Sequence, residues 1–184
     1  MDRYAQLSNE PYGFTSNGRP MYRKLPLIGL EWIFIALNVF FLAFTWIYTT
    51  NSLNGLPDQI PTHFDISGKP DRYGSKYTLL ILPIIGTFVS ILMHIVCFFP
   101  HRFNLTGITV TTDNAAKVYT VARTLLRYLG ALTSALFIVL LVPWVKAAQT
   151  GEELSGMSIV GPIVGFLGGL AIGIYCFYSK ARSA

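Results

Sequence analysis

The side chains best suited to chemistry fall between Leu56 and Lys76, in the run LPDQIPTHFDISGKPDRYGSK. His63 with Asp58, Asp65 and Asp71 offers the imidazole and carboxylate ligands that a divalent cation takes, and His63 and Asp65 project to the same side of an extended chain. A zinc-like site requires three or four convergent ligands, which spacing alone does not supply. Lys69, Arg72 and Lys76 offer the same carboxylates ion-pair partners, so a rigid hydrogen-bonded loop competes with the metal reading. The sequence holds no H-E-x-x-H, G-x-S-x-G, P-loop or dinucleotide fingerprint. The expectation is therefore a non-enzymatic protein without a cofactor, with metal-dependent activity at this loop as one alternative.

Three prolines (Pro57, Pro61, Pro70) and two glycines (Gly68, Gly74) argue against a helix here. Ile60, Thr62, Phe64 and Ile66 alternate with Pro61, His63 and Asp65, which predicts a short extended segment with one apolar and one polar face. Asp65 to Gly68 and Pro70 to Gly74 read as turns, and Ser75 as the cap of the next helix.

The elements that hold this loop are apolar. Of the 184 residues, 52% are hydrophobic and only 12% charged. Four runs are long enough to cross a hydrocarbon core of about 30 Å, and in lipid such runs must be helical. They are 25–48, 77–99, 125–145 and 159–178, inside a membrane domain spanning 25–178, with the third preceded by a helical extension from about residue 113. The fold class expected is all-α, a four-helix integral membrane bundle with an ordered extracytoplasmic loop between helices 1 and 2.

Residues 1–24 are polar and read as an irregular arm, with no apolar h-region, so the first span is expected to be retained and not removed as a signal peptide. Arg3, Arg19, Arg23, Lys24, Arg102, Lys117, Arg123, Arg127, Lys180 and Arg182 fall on one side of the spans, against Lys69, Arg72, Lys76 and Lys146 on the other. The positive-inside rule then gives a multi-pass cell-membrane protein with both termini cytoplasmic. The formal net charge of +5 is dispersed, without a basic run, which argues against nucleic acid as a partner.

Within the spans, Glu31, His94 and Arg127 are ionisable groups at similar depth, so Glu31 is expected to meet His94 or Arg127. Arg123 and Arg127, four apart, are expected at the lipid headgroups, and Thr112 or Asp113 as the cap of their helix. Pro83 with Gly86 predicts a kink in span two, and Pro143 with Trp144 an end to span three. Gly161, Gly165, Gly169 and Gly173 recur every four residues, which predicts a close-packing face for an internal neighbour or a homo-oligomer. Cys97 and Cys176 read as free thiols in the spans.

The loop residues also carry a resemblance. Leu56-Pro57, Ile60-Pro61, His63-Phe64, Gly68, Pro70-Asp71, Tyr73-Gly74-Ser75-Lys76 and Leu82-Pro83, within residues 56–83, resemble the signature of a bacterial membrane-protein family of unknown function. That family shares a domain with the immunity protein against the sporulation-delaying toxin of bacilli. Phe99-Pro100-His101, Phe103-Asn104 and Ile108 to Ala115 are similar to the segment that follows this domain in short stand-alone four-span members. The resemblance is to these short members, and the additional spans of the immunity protein are not expected here. The resemblance implies an immunity-like role, with a membrane-active peptide or envelope component bound by the loop around His63, Phe64, Asp65, Asp71, Arg72 and Tyr73. Membrane lipids and a membrane-protein partner are the other partners expected, and a small accessory subunit of a larger complex is the alternative role.

Overall fold

The computed structural model describes residues 11–22, 25–65 and 67–183. Arg3, Arg23, Lys24 and Ile66, used above for topology and for the loop pattern, lie outside the described residues. The fold is an all-α bundle of four long helices, α1 (Gly29–Leu53), α2 (Ile81–Val96), α3 (Ala115–Thr150) and α4 (Gly156–Arg182). Two small antiparallel hairpins accompany them, β1 (Gly13–Phe14) with β2 (Pro20–Met21) and β3 (Gln59–Phe64) with β4 (Pro70–Ser75). All four helical segments are long and apolar enough to cross a membrane, α2 together with the 3-10 turn Lys76–Leu80 that leads into it.

Helix α3 is the axis of the bundle: α1, α2 and α4 all pack on it, α4 almost solely so. At 1.5 Å per residue its 36 residues reach about 54 Å, well beyond the hydrocarbon core. Its two ends therefore stand clear of the spans, and each carries a core. At the arm end Leu25, Leu105, Val118, Tyr119, Ala122 and Phe177 close together, and the β1–β2 hairpin docks there through the Tyr119 hydroxyl, which donates to Pro20 O at 3.2 Å. At the other end Ile60, Leu79, Leu141, Val145 and Ala148 form a second core in which a strand residue sits among helices.

Proline positions explain several departures from the sequence expectations. Pro83 falls in the first turn of α2, where a missing N–H breaks no helical bond, so the loop enters α2 through the 3-10 turn instead of a mid-span kink. Pro143 lies inside α3, which runs on to Thr150 and stops at Gly151, left-handed at φ 71°. Pro26 precedes α1, which places Glu31 in the first turn, where its Oε2 accepts from Ile28 N at 3.1 Å. Asn114, and neither Thr112 nor Asp113, precedes α3; its side chain folds back to accept from Thr111 N at 2.9 Å. The arm is more regular than expected: residues 13–21 form the β1–β2 hairpin, turning at Gly18 with φ 77°.

Candidate functional site

The 56–76 segment is a two-stranded hairpin clamped onto the bundle end. Gln59 pairs with Ser75, Ile60 with Gly74 and Pro61 with Tyr73, after which the register shifts around His63. Pro70 to Gly74, expected as a turn, is strand β4, because these pairs supply the ladder that a lone turn reading ignores. The chain reverses instead at Asp65 to Gly68, where Gly68 N donates to Asp65 O at 2.9 Å and Gly68 takes φ 89°.

Three contacts fix the hairpin. Ile60 is fully buried against α3 and Leu79. The Trp144 indole N–H donates to Pro61 O at 2.6 Å. At the tip, Leu154 N donates to Gly68 O at 2.9 Å, and a Cβ on Gly68 would stand 1.7 Å from Leu154 O. Lys76, at the hairpin base, reaches both Asp58 Oδ1 at 3.1 Å and Leu56 O at 3.3 Å.

Strand β4 and the outer end of β3 are open. His63 Nδ1 lies 2.6 Å from Asp71 Oδ1, with both side chains about half exposed. Arg72 and Tyr73 are exposed, Tyr73 at 61%, and Phe64 is half-buried. Asp65 does not turn toward His63. It accepts from Ser67 N at 2.8 Å, from the Ser67 hydroxyl at 2.6 Å and from Lys69 N at 2.9 Å. Those bonds, the Ser67 hydroxyl first and the Lys69 amide next, hold the Asp65 carboxyl below its ordinary range. Of the four metal candidates, then, only His63 and Asp71 meet; Asp58 faces Lys76 and Asp65 caps its own turn. Among the described residues no three His, Cys, Asp or Glu side chains gather as a ligand set.

A second polar cluster lies at the arm end of the spans. Glu31, fully buried, contacts Arg127 Nη1 through Oε1 and Arg123 Nη2 through Oε2 at 3.2 Å. Arg123 also donates to Leu25 O at 3.1 Å and Pro26 O at 2.9 Å. The two arginines, expected at the headgroups, are instead 5% and 8% exposed, because the helix face that carries them is the face that packs on α1. His94 does not meet Glu31; its Nδ1 lies 2.8 Å from Ser90 O, one turn back. Deeper in the bundle the Ser90 hydroxyl donates to Asn38 Oδ1 at 2.6 Å, a pair not foreseen although Asn38 interrupts an otherwise apolar run.

The glycine stripe divides. A Cβ on Gly173 would stand 2.6 Å from Tyr128 Cε1 and one on Gly169 3.0 Å from Leu132 Cδ2, so this half packs on α3. The Tyr128 hydroxyl donates to Gly169 O at 2.9 Å across the same contact. Gly165 meets nothing within 4 Å and Gly161 only Met157 of its own helix, so the half nearer the hairpin end is open. Cys97 is buried and Cys176 exposed, both free.

Residues 40–87, from mid-α1 through the hairpin into α2, match a family described as Domain of unknown function (DUF1648). The chain is 40% identical over 60 residues to an uncharacterized protein of Archaeoglobus fulgidus, a match covering 33% of this chain and 33% of that protein. The chain thus matches about a third of the length of this curated relative. No solved structure matches it.

Proposed function

We propose that this is a non-enzymatic, multi-pass protein of the cell membrane that recognises a membrane-active peptide or another envelope component through the exposed side chains of the β3–β4 hairpin. The observation that carries the reading is the contrast between the buried base of β3 and the exposed strand β4. Ile60 and Pro61 at the base of β3 are buried, Ile60 with no exposure, while the paired His63 and Asp71 and the side chains of Arg72 and Tyr73 are exposed on a backbone that three separate contacts immobilise. A preorganised surface with an aromatic ring and charges of both signs binds without first losing loop entropy.

The orientation rests on charge. Arg19, Arg102, Lys117, Lys180 and Arg182 lie at the arm end, whereas the hairpin end sets Lys69, Arg72, Lys76 and Lys146 against Asp58, Asp65, Asp71, Glu152 and Glu153. The arm end is therefore the cytoplasmic one. In a background lacking Cys97 and Cys176, Ser67→Cys labels from outside intact cells with an impermeant thiol reagent and Asp113→Cys does not; the reverse pattern overturns the orientation.

Function is tested in cells carrying or lacking the gene and challenged with a panel of membrane-active peptides. Protection by the wild type that is lost in Tyr73→Ala with Arg72→Ala supports the reading, and equal survival with and without the gene overturns it. Metal analysis of the purified protein, with His63→Ala as control, separates the metal-dependent alternative.

A second reading, an accessory subunit of a larger membrane complex, draws on the open backbone at Gly161 and Gly165, which admits another helix at close range. Co-purification in mild detergent, lost in Gly165→Ile, distinguishes it.

A further inference from the structure

At the arm end of the spans two guanidinium groups share one carboxylate, Glu31, leaving a net charge of +1 among groups that are nine-tenths or more buried. Uncompensated charge at such a place is unfavourable and is retained where it meets a counter-charge. Here the hydrogen-bonding capacity is also unfilled, since the Nε–H groups of Arg123 and Arg127 have no partner among the described residues. Both arginines line a cavity of about 280 Å³ between α1, α2 and the start of α3, far above the roughly 10–15 Å³ that a single water requires.

The walls of that cavity are of a different character from its floor. Leu25, Leu27, Ile35 and Cys97 line the sides, and Trp32 and Phe98, 58% and 77% exposed, form a mouth on the outside of the bundle. His94 also lines it, its Nδ1 already engaged with Ser90 O. A free inorganic anion has no use for an apolar mouth. An amphiphile with a negative head does, and basic pockets between spans near the cytoplasmic face suit anionic headgroups. Tryptophan at the rim matches headgroup depth.

We infer that the Arg123–Arg127 cavity binds the phosphate group of an anionic membrane lipid, the phosphate supplying the counter-charge that Glu31 alone does not provide and the acyl chains leaving past Trp32 and Phe98. Guanidinium groups suit this role because their planar fork donates to two phosphate oxygens at once. The site lies at the opposite end of the bundle from the hairpin and stands independently of what the hairpin recognises.

The test uses the full chain in nanodiscs of phosphatidylcholine with increasing phosphatidylglycerol, read by thermal midpoint and by the lipid retained in native mass spectrometry. The wild type retains phosphatidylglycerol over phosphatidylcholine, and its midpoint rises with phosphatidylglycerol content. Arg127→Gln, which leaves one guanidinium against one carboxylate, weakens retention at least tenfold. Trp32→Ala, on an exposed wall, weakens it several-fold and serves where Arg127→Gln does not fold. Inorganic phosphate at millimolar concentration, added to the phosphatidylcholine sample, is the second arm: a midpoint rise equal to that from phosphatidylglycerol overturns the lipid assignment. Equal midpoints in both lipids, with no retained phosphatidylglycerol, overturn the site altogether.

Discussion

Trp144 donates its indole N–H to the carbonyl of Pro61 across 2.6 Å, joining the far end of α3 to the first strand of the hairpin 83 residues away in sequence. Pro61 is itself buried and the bond is part-buried, so a carbonyl that loses this donor is poorly placed to recover it from solvent. Trp144→Phe keeps most of the ring and removes the donor, and should cost about 1–3 kcal/mol with faster amide exchange in 59–64. Gly68→Ala acts on the other tether, where φ 89° and the Leu154 carbonyl leave no room for a Cβ, and should free the tip without unfolding the helices. Unchanged exchange in both variants would show that neither contact holds the hairpin.

The Asp65 turn gives the hairpin an acid limit. The Asp65 carboxyl is held below its ordinary 3.8 by bonds that only the ionised form accepts fully. Its folded pKa is thus lower than its unfolded one, and the stabilisation is present above the unfolded value and lost as pH falls through the folded value. A carboxyl-observed NMR titration should place the Asp65 midpoint below 3.8, with the Ser67 and Lys69 amides losing protection over the same interval. A midpoint at or above 3.8 contradicts the turn geometry.

The divided glycine stripe predicts opposite signs for the same substitution eight residues apart. Gly173→Ala drives a Cβ toward the Tyr128 ring and should destabilise by about 1–3 kcal/mol. Gly165→Ala meets nothing within 4 Å and gains helix propensity, about 0.5–1 kcal/mol of stabilisation. Apparent melting temperatures in one detergent check both. A large loss at Gly165, with a change in oligomer size, would show that another helix covers it.

Glu31 is the only carboxylate facing Arg123 and Arg127 among the described residues. Glu31→Gln leaves two buried guanidinium groups and should destabilise by about 3–5 kcal/mol. Adding Arg127→Gln should recover part of that loss, because paired groups are not additive. Unfolding in graded sodium dodecyl sulfate measures both, and additive losses would show that the contact is incidental.

The spans were legible in the sequence because length and apolarity leave the chain no choice in lipid. Glu31 meeting Arg127 was within reach for a similar reason, since a buried carboxylate needs a cation at matching depth. The hairpin was half legible: alternation marked β3, but β4 carries Pro70, Asp71 and Gly74, residues of turns, and only its pairing with β3 makes it a strand. The inward turn of Arg123 was hidden because the sequence gives the spacing of the two arginines without the azimuth of the helix that carries them. The split of the glycine stripe was hidden likewise, since α4 meets α3 along only part of its length.

The recognition claim is tested most directly by measuring binding of labelled membrane-active peptides to the purified protein in nanodiscs, side by side with the double variant Arg72→Ala, Tyr73→Ala. Both positions are exposed, so the variant keeps its fold. The wild type is expected to bind at least one peptide saturably, and the variant to bind it at least tenfold more weakly. Identical binding by the two proteins and by empty nanodiscs would contradict it.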